Sequence, residues 1–417
     1  MPTIPPLRYV APPFSLLALA GFYFIVVHMV ASKAPLRFLE VHKASQVPLA
    51  LTHISLLDKM LTPLVSFFIA AFGDPSSPAY PTTIDFVWSF GSAIQLPLIE
   101  AQRVGMDAPS MSRSVLAWPM IWGVLYQRVS GGWILPLWLL AFMRSKTRAA
   151  GAGIGKIEAE SVFAGWWLGH TIPALAMLVP GQSPFTRPPI WIAFPILMSL
   201  AQHGYYCARR SLCPASTRNN DNTRSGYVIL QLTYLSAFVL SCIAHIHSVI
   251  IPGLLSAPAP SSIPTHLHYL LTTYLYNFFI PPTGLRIPSP ESTTAASGVR
   301  HFVQWDVLVV FAAVWLAGIW DLVLRRHDRD ASKKGHEGKN CVWAVVGFVG
   351  GVTASLFVTA LALGPGAATA GLYAYRESVM EEARARRRTD AQNGVTASDS
   401  LVDETSRLNP DRVVRYD

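Results

Sequence analysis

SVLAWPMIWGVLYQRVSGGWILPLWLLAFM, residues 114–143, decides how this chain is read. As one α-helix at about 1.5 Å per residue it would be about 45 Å long, too long for a straight crossing of a hydrocarbon core of about 30 Å. Gly131 and Gly132 stand at its middle, and Pro136 adds a site for a kink. The stretch predicts two shorter helices, or one sharply broken helix, in an apolar medium.

Working outward, apolar runs long enough to cross a bilayer recur at about 11–31, 52–72, 84–100, 160–180, 188–208, 226–252, 301–324 and 341–363. The first is too long for a signal-peptide core and reads as a retained helix. The second is interrupted by Asp58 and Lys59. The segment 267–281 is shorter than a full crossing, and a semi-polar helix follows Gly364-Pro365-Gly366. Lys33, Arg37 and Lys43 in the first connection argue for a luminal N-terminus and a cytosolic first loop. The basic connections 144–156, 208–224 and 325–340 share that side only if 114–143 crosses twice. Arg384 to Arg388 fall on the luminal side unless the short apolar stretch 367–375 returns the chain.

The expected architecture is all-α: a polytopic transmembrane bundle of eight to ten spans over 1–380. A polar C-terminal tail, 381–417, begins as a short helix and fades into disorder. The stretches 256–265 and 286–298 read as loops. No internal repeat is visible, which disfavours an inverted-repeat transporter.

Composition agrees. Of 417 residues, 51% are hydrophobic and 14% charged, against about 25% charged in soluble domains. The net charge of +9 sits in loops and tail, with no basic stripe interleaved with aromatics, which excludes a nucleic-acid reader. Cys207, Cys213, Cys242 and Cys341 form no CxxC pair and no disulfide framework.

Several chemistries are absent from the sequence. There is no DDxxD to hold magnesium on a diphosphate, and the DRD at 328–330 reads as surface charge in a basic loop. No HxxHH series exists; His245 with His247, and His266 with His268, are not spaced for one helical face. GxSxG, a P-loop and GxGxxG are also missing. Neither metal nor cofactor is expected.

What remains is a handful of acids in or beside apolar runs: Asp58, Asp85, Glu100, Asp306 and Asp321. A charged group in hydrocarbon is costly, so each is a functional candidate, and burial keeps a carboxyl protonated and usable as a general acid. Asp85 to Glu100 and Asp306 to Asp321 are both fifteen-residue steps, about 22 Å along a helix, returning to within about 60° of one face. Asp85 then shares a depth with Asp306, and Glu100 with Asp321. Each has a plainer reading. Glu100 can pair with Arg103 and Asp321 with Arg325, Asp306 can answer a helix dipole, Asp85 can sit near an N-cap, and Asp58 adjoins Lys59.

Twelve tryptophans add ring faces that stabilise cations where water is excluded. Trp88 lies three residues after Asp85, Trp305 just before Asp306 and Trp320 before Asp321, while Trp118, Trp122, Trp133 and Trp138 lie in the broken segment. An interfacial belt is the plainer role for most of them.

WSFGSAIQLPLIEAQR (88–103), WPMIWGVLYQRVSGGWILPLWLLAF (118–142), HFVQWDVLVVFAAVWLA (301–317) and GPGAATAGLYAYRE (364–377) together resemble the fungal integral-membrane terpene cyclases of meroterpenoid pathways, of the ascofuranone and ascochlorin type. The resemblance covers roughly 80–380. It implies a lipophilic farnesylated phenol or cyclohexenone as substrate, often epoxidised, whose epoxide or terminal alkene is protonated by an acid and cyclised without metal. On that resemblance Glu100 and Asp306 are the catalytic acids, with Asp85 and Asp321 as secondary candidates. Trp88, Trp122, Gln127, Gln304 and Trp305 line the site. The topology sets Glu100 and Asp306 at opposite depths, so either one of them is structural or the span count differs. The expected location is the endoplasmic reticulum membrane, with lipid, a prenylated small molecule and other enzymes of the same pathway as partners. A transporter of hydrophobic metabolites, with the acids as proton relays, and a non-catalytic membrane scaffold are the alternatives.

Overall fold

The computed structural model describes residues 6–45, 47–50, 52–103, 116, 118–145, 153–178, 191–212, 223–256, 262–332 and 339–408. Every regular element among them is helical. Thirteen helices follow in order. They are α1 Leu7–Ala31, α2 Ala34–Ala44, α3 Ser55–Phe72, α4 Ala79–Arg103, α5 Pro119–Arg128 and α6 Gly131–Met143. Then come α7, from Lys156 to Leu178, α8 Phe194–Leu212, α9, from Thr223 to Leu255, and α10, from Ile263 to Phe279. The last three are α11 Ala295–Ser332, α12 Lys339–Leu363 and α13 Pro365–Leu408. Helices α1, α7, α9 and α10 each contain one π-helical stretch.

Five helices, α1, α3, α9, α11 and α12, are long and apolar enough to cross a membrane, and the chain is a membrane protein. Eight to ten crossings were expected. The reason composition singles out only five is visible in α4, where 23 of 25 residues are buried by other helices. A helix covered by protein needs no apolar outer face. It carries Ser92, Gln95 and the Trp88 and Gly91 carbonyls to its neighbours instead: Ser92 meets Ser241 at 3.3 Å, Gln95 donates to the Thr233 carbonyl at 3.2 Å, Ser241 donates to Trp88 O at 3.0 Å, and Trp166 Nε1 donates to Gly91 O at 2.9 Å. At the other extreme α12 is hardly covered at all and presents its apolar surface to lipid.

Around α4, helix α8 packs along α7, α9 along α13 and α7, α11 along α4 and α6, and α6 along α1. The broken segment is two helices. It divides at Val129–Ser130, one residue before the paired glycines, and Ser130 caps α6 by accepting from Trp133 N–H at 3.3 Å. Gly132 sits in close quarters, since a Cβ there would lie 2.8 Å from Ile25 Cδ1 and 3.0 Å from Asp306 Oδ1 and both side chains would have to move.

α13 settles the C-terminal topology. Gly364, at φ 95°, turns α12 into α13 beside His245, and Arg376, three turns on, reaches Glu100 and Asp321. The stretch 367–375 thus returns the chain, and Arg384 to Arg388 follow on the side of Arg103 and Arg325. The helix runs unbroken to Leu408, further than the short helix expected of the tail, and DRD at 328–330 forms its penultimate turns in α11 rather than a loop. Cys213, much of the basic connections at 146–152, 213–222 and 333–338, and the last residues 409–417 lie outside the described residues.

Candidate functional site

The candidate acids fall into three separate settings. Glu100 and Asp321 do share a depth, and what joins them is Arg376 from α13. Its Nη1 lies 2.9 Å from Glu100 Oε1 and its Nε 2.7 Å from Asp321 Oδ2. Arg103 pairs with Glu100 at 3.1 Å and with Glu377, Arg376 meets Glu377 at 3.1 Å, and Arg325 meets Asp321 at 3.0 Å. Three acids and three arginines form one charge-balanced cluster, its core fully buried, with the Arg376 guanidinium 5.4 Å over the Phe142 ring. Buried ions must be compensated in this way. Each acid here faces cations, so none is placed to hand a proton to an apolar substrate.

Asp85 has a different partner. His245 Nδ1 lies 2.9 Å from its Oδ1, and His245 Nε2 donates to the Leu361 carbonyl at 3.3 Å. With Nε2 committed as a donor, one proton lies between imidazole and carboxyl. The pair ties α4 to α9 and to the end of α12.

Asp306 is the exception. Ser130 Oγ–H donates to its Oδ1 at 2.9 Å, and the Gly132 N–H donates to the same oxygen. Both donors belong to the N-terminus of α6, so the carboxyl sits on the positive end of that helix. The Gly131 backbone N–H also lies against the carboxyl. The residue is buried, makes no ion pair among the described residues, and lines a cavity of about 150 Å³. Ring faces make up much of that wall: Phe67, Phe86, Phe90, Tyr126, Phe194 and Phe302 all contribute. Phe90 meets Tyr126 edge-on at 5.3 Å, and Tyr126 lies parallel to Phe194 at 6.3 Å.

Contacts at both ends of α6 fix how it lies. Ser130 and Gly132 touch Asp306 where α5 meets α6, and α6 runs from there to the charged cluster at Phe142. The turn between the two helices lies at Asp306. Irregular backbone at such a depth persists where it lines a cavity and its polar groups find partners.

The aromatic and amide candidates divide likewise. Gln127 lines the cavity with Asp306. Trp305 instead stacks on Phe24 at 4.0 Å, Trp88 lies in the core beside the Ser241 contact, and Trp122 is half-buried on α5, packed against the core. Gln304 donates to the Asn277 and Phe278 carbonyls at 3.0 and 2.6 Å and so holds the end of α10. Sequence reasoning missed Ser130, Gly132, the phenylalanine cage, His245, Arg376 and Glu377. Only the last two carried a signal, as an adjacent opposite pair closing an apolar stretch.

The model of the CtvD domain family matches residues 13–381. No curated protein and no solved structure matches the chain. Covering nearly all of the helical bundle, including both ends of the charged cluster and the Asp306 cavity, that match establishes the relationship: this chain belongs to the CtvD domain family.

Proposed function

We propose that the protein is a membrane-bound cyclase of a secondary-metabolite pathway. In this reading it protonates the epoxide or terminal alkene of a prenylated intermediate with Asp306 and cyclises it without metal. The observation that carries the reading is a buried carboxyl that makes no ion pair among the described residues and lines an aromatic cavity. In the acid form the carboxyl's proton is delivered into the cavity that Asp306 lines. Transfer to an epoxide oxygen breaks one C–O bond and leaves a hydroxyl and a carbocation. A neighbouring double bond or hydroxyl attacks that cation, and the Asp306 carboxylate takes back the proton lost from the cyclic product, so the reaction is a redox-neutral isomerisation. The α6 N–H groups stabilise the carboxylate between the two transfers. Ring faces lower the energy of the cation and exclude water.

The cavity is smaller than the roughly 300–1,000 Å³ of pockets that enclose whole drug-sized ligands. It accommodates the reacting end of the substrate while the rest extends toward lipid. Family membership is consistent with a biosynthetic role, and the apolar helices with residence in a membrane, which we assign to the endoplasmic reticulum.

The test is product analysis after incubating membranes bearing the protein with an epoxidised prenyl-phenol. Wild type is expected to yield cyclic isomers, while Asp306→Asn loses about 100-fold or more in rate. Cyclisation undiminished in Asp306→Asn removes the proposed acid. Substrate recovered unchanged from wild type across epoxidised and unepoxidised prenyl compounds defeats the cyclase reading.

A further inference from the structure

The hairpin turn that carries Asp306's donors brings a second, unexplained group to the cavity. Gln127, Arg128 and Val129 end α5 and line the same cavity as Asp306. Arg128 is exposed, lies in an otherwise uncharged run from 114 to 143, and makes no hydrogen bond or ion pair with any described residue. That contrasts with the bundle's interior arginines. Arg103, Arg325 and Arg376 all end on carboxylates. A charge in an apolar span is expensive and is retained for a partner. Beside it, Gln127 Nε2 is buried with no hydrogen-bond partner among the described residues.

The nearest anion does not supply the missing partner. Asp306 spends Oδ1 on Ser130 and Gly132, and no ion pair joins it to Arg128 among the described residues. Had one done so, the carboxyl would be fixed as an anion and unable to act as an acid. The cavity therefore offers one acid and, on the adjoining turn, donors without acceptors.

We propose that Arg128 and Gln127 form a head-group subsite that binds an anionic, carboxylate-type oxygen head of the substrate, leaving its hydrocarbon chain to run past Asp306 along the phenylalanine wall. The guanidinium fork matches two carboxylate oxygens at once, and the Gln127 amide adds a third donor. This inference rests on the reading of the cavity as the cyclase site, and deepens it by naming the chemistry of the substrate's polar end.

The experiment uses the full chain in phosphatidylcholine nanodiscs. Binding of 3-farnesyl-4-hydroxybenzoate and of its methyl ester is followed by quenching of tryptophan fluorescence, which needs no turnover. Arg128→Gln is expected to weaken carboxylate binding at least 10-fold and ester binding less than 2-fold. Arg128→Lys, which keeps charge but loses the fork, falls between, and Gln127→Leu weakens the carboxylate several-fold. Equal effects on acid and ester, or none on either, overturn the subsite. So does an Arg128 effect that vanishes when anionic lipid is added, which assigns the guanidinium to lipid phosphate. A carboxylate preference that depends on Arg128 without any turnover keeps the subsite and defeats the cyclase; turnover by Asp306 with binding indifferent to Arg128 does the reverse.

Discussion

Gly132 lends its backbone N–H to Asp306, 174 residues away in sequence, and that bond, with Ser130's, holds the carboxyl on the N-terminus of α6. The relationship makes the turn between α5 and α6 part of the acid.

Gly132→Ala tests it directly. The added methyl would lie 3.0 Å from Asp306 Oδ1 and 2.8 Å from Ile25 Cδ1, so the carboxyl must shift. We expect at least about a 10-fold loss of cyclisation rate, since small misplacements of reacting groups cost rate steeply. Ser130→Ala removes one donor, worth about 1 kcal/mol, and should cost a few-fold. Rate measurements on detergent-purified protein decide, and wild-type rates in Gly132→Ala would detach the turn from catalysis.

Arg376→Met leaves Glu100, Asp321 and Glu377 short of a cation in the dry core. Breaking a buried ion pair by removing one partner costs about 3–5 kcal/mol, so the variant should unfold at much lower temperature or fail to accumulate. Adding Glu100→Gln and Asp321→Asn to Arg376→Met should recover part of the loss, because the three residues share one network. Additive losses in the triple variant would contradict the cluster.

His42, in the connection between the first two spans, gives a pH signature. Burial pushes its imidazole below the ordinary 6.5, outweighing the Val47 and Pro48 carbonyls, and its Nδ1 lies 2.8 Å from Ser66 Oγ. The unfolded chain therefore binds a proton more readily than the folded one. His42's contribution is whole above about pH 6.5 and is lost as pH falls through the depressed folded value. Thermal unfolding between pH 7.5 and 5 should show a steeper acid loss in wild type than in His42→Gln. Parallel curves would count against it.

The return of the chain by α13 puts the ends of α11 and α13 on one side. Single cysteines at the exposed positions Arg326 and Arg386, in a background without the native cysteines, should be labelled by an impermeant maleimide from the same face of sealed vesicles. Labelling from opposite faces would refute the path drawn for α13.

Much of this was legible in advance, for particular reasons. The excess length of 114–143 and its paired glycines announced a break, and the break is there because neither a 45 Å rod nor a continuous helix fits. The fifteen-residue steps put Glu100 level with Asp321, since helical rise is fixed by the backbone. The return of the chain at 367–375 was visible only as a condition. α13 is semi-polar, and it lies within the bundle because α4, α9 and α11 pack against it.

By itself the sequence determined a helical membrane bundle, its broken hairpin and a short list of acids, because apolar length and helical period are local properties of the chain. It could not rank those acids. Glu100 and Asp306 look alike in one dimension, each an acid in an apolar run beside aromatics. Only the tertiary structure surrounds Glu100 with arginines and Asp306 with a helix N-terminus and ring faces. A carboxyl's chemistry is set by the charges and dipoles that face it, and here Arg376 for Glu100 and the Ser130–Gly132 turn for Asp306 come from more than a hundred positions away.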